Sequence, residues 1–587
     1  MRMFACITVI VCTAVPLAAA HGQRVSGTVK DSATAAYLPG AVVVLTDSAG
    51  TTLVRTLSDA EGRYSLTAPG AGGKLRVIRI GFQPRAIVLP RASGAATAMD
   101  IWLVRIPVLL EPLDVVSRAV CSDAPDRRSA AALWEQARAG LLASVVAREA
   151  RPARATIFSY DRSTELRDER VLEQRSQIQA GRTTRPFLTV DAPRLLAERG
   201  YIQEDATGRV YTAPDADVLL DDSFAETHCF GVRQADESHP GAIGLSFEPA
   251  RGRESLVDVH GVLWLDARVP ALRSLEFRFV GLEPAAVRAG AGGALRFQSM
   301  SNGVVFIDRW SIRMPVMEEE RRPSSSTPMP GGQDALRDRS RLRHRNNFRV
   351  LQVAESGGYV LGAAWGDTLR WRTTLAPLTG RVVELNSAQP LAGVVVALVG
   401  TADTVHTDSD GKFTMAPVLP GRYSISAADT AFAAFSKQRA VLKSVLIEDG
   451  RPTEVHFELP SRRSIVARLC DDDVLPATSA ILFGSLMLDS TATPSGLTVT
   501  AQWLGVFSQS GANARTVVYQ SGRTSSVGDD GSFRLCGVPS GRRVNIVLTR
   551  EGRQIADTAL TVSVENPAAS VIWSLPRPLA QPVKPRK

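Results

Sequence analysis

The sequence predicts a mainly β protein: three antiparallel β-sandwich modules and, between the first and second, an α+β domain built on an antiparallel sheet. Three observations carry this. The 587 residues exceed what one core organises and suggest about four units. Aromatics are only 6% of a chain holding 46 Gly and 34 Pro, a balance that suits short strands joined by turns. One skeleton of glycines, β-branched runs and acidic turns recurs three times.

In chain order, residues 1–20 read as a signal peptide, with Arg2 ahead of an apolar run and small residues at Ala18 to Ala20. A lipid anchor is not expected, because Val11 precedes Cys12 and Cys6 stands too early. The expected units are 24–106 (sandwich 1), 118–376 (central α+β domain, with 318–346 as a flexible basic loop), 377–460 (sandwich 2), 463–577 (a divergent sandwich 3) and 578–587 (a basic tail). No stretch of about 18 unbroken apolar residues follows the signal, so no spanning helix is expected. Once Cys6 and Cys12 leave with the signal, Cys121, Cys229, Cys470 and Cys536 remain. Export favours two disulfides, Cys121–Cys229 and Cys470–Cys536, since each pair then falls within one predicted domain; buried free thiols are the alternative.

The repeat shows its register through glycines. Gly27 and Gly40, Gly380 and Gly393, and Gly484 and Gly496 each bracket one strand and one turn. A β-branched run follows, then an acidic-glycine turn with an aromatic two places on: Gly62 to Tyr64, Gly411 to Phe413 and Gly531 to Phe533. Asp caps its own backbone, Gly accepts positive φ, and the aromatic enters the core of the next strand. A calcium loop would need six or more oxygen ligands. Asp408 and Asp410 offer two side chains, and Gly528 replaces the equivalent of Asp408 in the third copy, so the turn reading is preferred to a weak surface metal site.

"GTVKDSATAAYLPGAVVVL" with "SDAEGRYSL" and "IGFQP", and "GRVVELNSAQPLAGVVVAL" with "TDSDGKFTM", resemble the carboxypeptidase regulatory-like module. The third copy is looser, its halves separated by "LGVFSQSGANARTVVYQSG". The resemblance implies immunoglobulin- or transthyretin-like, carbohydrate-binding-like sandwiches of about seven antiparallel strands that serve as spacer, assembly or binding modules. It specifies a fold rather than a reaction.

Between the first two modules, Ser129 to Glu149 has amphipathic helical spacing. Alternating segments follow it, with turns expected at Asp266-Ala-Arg, Ser301-Asn-Gly and Ser356-Gly-Gly, which gives a sheet backed by one helix. "GVLWLDARVPALRSLEFRF" is similar in strand pattern to the curved sheets of periplasmic lipoprotein-carrier proteins, which present an apolar face.

Chemistry-bearing motifs are scarce. No His among His21, His228, His239, His260, His344, His406 and His456 begins a zinc-peptidase arrangement. Serine-hydrolase elbows and nucleotide loops are missing too. "DDSFAETHCFGV" gathers Asp221, Asp222, Glu226, His228 and Cys229, but neighbours on a strand face opposite ways, so a disulfide-bonded Cys229 beside a partly exposed His228 is expected. Trp102, Trp264, Trp310, Trp365, Trp371 and Trp503 could stack sugars if two fell on one exposed sheet face, although core packing is the commoner fate.

The expectation is therefore an exported, non-catalytic binding or scaffold protein of a bacterial envelope, periplasmic, outer-membrane-associated or extracellular. It would take carbohydrate or an envelope component through its sandwich modules, without cofactor, metal or nucleic acid. A formal charge of +9 would then meet an anionic surface or glycan. The alternatives are a hydrolase or peptidase with an unrecognised site in 118–376, and an accessory to an outer-membrane transporter.

Overall fold

The computed structural model describes residues 23–68, 73–89, 96–106, 127–150, 153–183, 192–205, 208–319, 348–365, 369–385, 387–429, 440–470, 478–487, 495–509, 515–564 and 566–574. The predicted signal, Cys121, the basic tail and all but the first two residues of the predicted basic loop lie outside them. The chain forms two compact units, 1–374 and 375–587. Among the described residues no helix is long and apolar enough to cross a membrane.

The first unit begins with a two-sheet sandwich. Gln23–Asp31 pairs with Arg63–Ala68 in one sheet, and Thr52–Leu57, Val42–Thr46, Gly73–Ile78 and Arg85–Leu89 form the other. The closing strand Ile101–Leu103 runs parallel to Gln23–Asp31, because the chain crosses between sheets before it returns. The same parallel closure recurs in the second sandwich, where Leu378–Glu384 meets Thr453–Leu459, and in the third, where Ser479–Met487 meets Ala568–Ser574. Thr97–Ala98 also runs parallel to Gln23–Asp31, and the remaining strand pairs described in the three sandwiches are antiparallel.

The repeated residues have one physical explanation in all three copies. Gly62, Gly411 and Gly531 adopt φ of 69°, 71° and 79°, a left-handed conformation that costs glycine little. Tyr64, Phe413 and Phe533 are buried, and each stands in register with the first glycine of its copy, Gly27, Gly380 and Gly484. A Cβ on Gly27, Gly380 or Gly484 would run into the backbone carbonyl of Met99, Val455 or Val571 respectively, and at the last two it would also strike the Phe413 and Phe533 rings at 2.6 and 2.5 Å, so glycine lets the backbone close there.

A buried hydroxyl clip accompanies the turn. Ser58 Oγ accepts from Ala41 N–H and donates to the Leu38 carbonyl; Thr407 Oγ1 does the same between Val394 and Leu391. The third copy has Val527 at this place, and Val527 N–H still donates to Leu497. Its predicted insertion is part of a hairpin, Leu497–Gln509 with Arg515–Ser526, whose distal half pairs with no third strand among the described residues.

The central domain is a ten-stranded antiparallel sheet. The long helix Arg127–Ala150 lies against it through Leu133, Ala137, Leu141 and Val145, so the apolar sheet face is filled by the protein's own helix. Ala139, Ala143 and Val146 on another side of the helix meet Val42, Val44 and Ile78 of the first sandwich. Gln136 Oε1 accepts from Gly81 N–H at 2.6 Å, and Arg55 and Arg76 pair with Glu149 and Glu135. The helix thereby joins sandwich and sheet by contacts on two faces.

Three expectations are corrected. Ser356-Gly-Gly is not a turn but the middle of the strand Phe348–Trp365. Gly357 and Gly358 are small because Tyr160 and the Trp310 ring occupy the space of their Cβ atoms. The helix is not alone, since Pro193–Arg199, Ala216–Leu220, Asp222–Thr227 and Pro284–Arg288 are also helical. Asp215 and Asp221 cap two of these by accepting from backbone N–H groups. Finally, His228 is fully buried, stacked on Phe224 at 4.0 Å.

In the second unit, Ser461 caps the helix Arg462–Leu469, whose Val466 and Ala467 pack on Ile481 and Phe483 of the third sandwich. The Cys470–Cys536 disulfide ties the end of that helix to the sandwich.

Candidate functional site

The expected structural cysteines and turns come first. Cys229 is disulfide-bonded, while its expected partner Cys121 lies outside the described residues. Asp408 Oδ1 accepts from both Asp410 N–H and Lys412 N–H, and Asp59 does the same in the first copy. The capping oxygen is thus committed to backbone, which is what bends the chain at Gly62 and Gly411. Asp530 accepts from Ser532 beside Gly531. Among the described residues no group of three or more His, Cys, Asp and Glu could hold a metal ion.

His228 belongs to a buried charge network. Its Nε2 sits 3.2 Å from Asp258 Oδ1, and Arg253 Nε lies 2.5 Å from Asp258 Oδ2. Burial would raise the Asp258 carboxyl, but His228 and Arg253 outweigh it and hold the group below the usual range. A fully buried imidazole held this way secures the strand Asp258–Asp266 to the helices before it, with no access for a substrate.

Of the tryptophans singled out, Trp264, Trp310 and Trp365 are buried. Trp264 lies under His239, which stacks on it at 4.1 Å and bridges Glu276 and Asp236. On the same face, Arg233, Glu248, His260, Glu276, Arg278 and Arg313 rim a cleft of about 610 Å³ whose floor includes Gly231 and Ala294. Its charges are mixed, and Glu276 is already engaged.

Trp102 is different. It stands between Ile101 and Leu103, both fully buried, so strand alternation turns it outward, 39% exposed. Its parallel register partner is Lys30, likewise set outward between buried Val29 and Asp31. On the other side, Lys30 bridges to Tyr37, which is 53% exposed. The row Tyr37, Lys30, Trp102 therefore crosses one sheet face, with Lys30 Nζ 5.3 Å from each ring centroid. Neighbouring strands lie about 4.8 Å apart, so the rings flank the ammonium at about twice that span.

Local chemistry fixes each member. Asp31 Oδ1 accepts from Ala33 N–H to start the turn that delivers Tyr37, while Arg105 pairs with Asp31 Oδ2 at 2.8 Å. That Arg105 bond, with help from the turn, holds the Asp31 carboxyl below its usual range. Arg85 donates to the Trp102 carbonyl. Asp100 accepts from Thr28 Oγ1 and N–H, which lowers its carboxyl, and stands 3.8 Å from Lys30 Nζ. The result is two exposed rings with a cation and a carboxylate between and beside them: apolar faces for stacking and charged groups for hydroxyls.

The other copies lack it. The equivalent row in the second sandwich is Pro390, Val383, Glu458, and in the third Met487 pairs with Ser574. What repeats builds the fold, and what does not repeat marks the site. The sequence reading named Trp102 but missed Tyr37 and Lys30, which only the pairing of three strands brings together; aligning the copies position by position would have flagged them.

Residues 24–104 and 377–460 match the family model of the carboxypeptidase regulatory-like domain. No curated protein matches the chain. Among solved structures, a streptococcal ancillary pilin is 12% identical over 46% of this chain and 92% of its own, with a TM-score of 0.16. A minor pilin of Streptococcus agalactiae is 14% identical over 35% of this chain and 99% of its own, with a TM-score of 0.14. The Bacillus anthracis TIE protein is 12% identical over 63% of each chain, with a TM-score of 0.15. Likenesses this slight carry nothing about how this chain acts.

Proposed function

We propose that the protein is a non-catalytic binding and scaffold protein of the bacterial envelope or exterior, holding carbohydrate on the outer face of its first sandwich. The observation that carries this reading is the exposed Tyr37, Lys30, Trp102 row, present in one copy of a threefold repeat. A pyranose laid across the row would place its C–H face on the rings and its hydroxyls toward Lys30 and Asp100. The second and third sandwiches then serve as spacers, in keeping with the absence of an equivalent row.

Titration of the purified protein against a panel of neutral glycans tests it. Trp102→Ala and Tyr37→Ala are each expected to weaken the responding sugar by about fivefold, as loss of an aromatic contact of about 1 kcal/mol implies. Glu458→Gln, at the matching place in the second sandwich, is the control and leaves binding unchanged. Flat responses to every sugar, or full binding by Trp102→Ala, would sink the reading.

A further inference from the structure

The central sheet carries a second, chemically distinct surface. Four of its strands lie side by side: Val171–Thr183, Ala153–Thr164, Phe348–Trp365 and Leu369–Arg372. Register sets Arg154 opposite Ala364, and Ala364 opposite Arg370. Two residues along, Ala180, Thr156, Gly362 and Arg372 form the parallel row. Side chains alternate along strands, so both rows belong to one face, while Ala155 and Ala363 of the intervening row enter the core.

Arg154, Arg370 and Arg372 are exposed, and among the described residues none forms an ion pair. They rim an open cleft of about 620 Å³ floored by Thr156, Ala180, Gly362 and Ala364. Arg154 and Arg370 stand on either side of the strand that carries Ala364, about twice the strand spacing apart, so with Arg372 their charges add to one positive field over the cleft. A row of anions fits that field, and the guanidinium fork suits carboxylate and sulfate groups.

We infer that this arginine platform binds a linear polyanionic glycan bearing carboxylate or sulfate groups. The choice of glycan over other polyanions rests on the carbohydrate reading above and on the surface itself. Trp371 borders the cleft, but it stands on the intervening row opposite Ala363 and packs edge-on against Phe306, so its ring is not laid out between the arginines for bases to stack on. The floor between the arginines is Ala, Thr and Gly, without the bulky aliphatic side chains that enter a bilayer surface.

The test uses the full chain, heparin as the probe, uncharged dextran as the neutral comparison and a DNA duplex as the competing polyanion. The triple variant Arg154→Gln, Arg370→Gln, Arg372→Gln is compared with Arg251→Gln, Arg268→Gln, Arg553→Gln, which removes equal charge from exposed places elsewhere. The platform variant is expected to lose at least about tenfold in heparin affinity while the control stays within about twofold. Wild-type affinity should fall as salt shortens the screening length. A platform variant of Arg→Lys, which retains charge, keeps most of the binding and separates charge loss from misfolding. Equal losses in both Gln variants, unchanged heparin binding in the platform variant, or a DNA duplex that binds as tightly as heparin would each overturn the inference. Because Trp102→Ala leaves the platform intact, failure of the neutral-glycan titration and failure of heparin binding are read separately.

Discussion

Thr407→Val is the most direct probe of how the repeat is held together. Thr407 is 5% exposed; its Oγ1 accepts from Val394 N–H at 3.0 Å and donates to the Leu391 carbonyl at 2.6 Å. Valine fills the same volume, so no cavity forms and only the two hydrogen bonds are lost. Val394 is fully buried, and its stranded N–H costs about 1–3 kcal/mol; the half-buried Leu391 carbonyl adds a smaller share. A net loss of about 2–3 kcal/mol in the second sandwich should lower its melting temperature by roughly 10–20 °C, the scale expected for a module of this size. Scanning calorimetry, with hydrogen exchange of peptides spanning Leu391 to Leu398 to assign the transition, measures it. The third sandwich carries Val527 at this position and should melt unchanged. If Val394 kept its protection in the variant, the clip would be incidental and the reasoning wrong.

Two further outcomes are expected. Replacing both Cys470 and Cys536 by Ser should destabilise the third sandwich by about 4 kcal/mol, the loop-entropy value for a sequence separation of 66, seen as an earlier transition that reductant does not shift further. His239 should titrate above its ordinary 6.5: burial alone would lower it, but the hydrogen bonds its ring donates to the Glu276 and Asp236 carboxylates outweigh that. Its stabilising contribution is therefore complete below about pH 6.5 and fades as pH rises through the raised value. NMR titration of the ring checks the shift, and His239→Gln should flatten the pH dependence of stability in that window.

The candidate site was only half legible beforehand. Trp102 drew notice as an aromatic, yet nothing near it in sequence says that Tyr37 will lie two strands away with Lys30 between. The arginine platform was hidden for the same reason, since Arg154 and Arg370 become neighbours only through register with Ala364. Ser356-Gly-Gly misled because glycine pairs usually punctuate, whereas here they make room for Trp310 and Tyr160. His228 misled in its exposure alone: it opens the strand His228–Arg233, but there it is buried against Phe224 of the helix that Asp221 caps.

From the chain alone came the threefold module, its acidic-glycine turns and the long helix of the central domain. Each rests on contacts between residues a few places apart: a carboxylate reaching its own backbone, a glycine at positive φ, apolar side chains one helical turn from the next. Tertiary structure alone decided which exposed residues stand together, that the helix is clasped on two faces, and that the third sandwich dispenses with the hydroxyl clip. Those outcomes depend on strand register and on distant partners, and a one-dimensional pattern records neither until the backbone has closed.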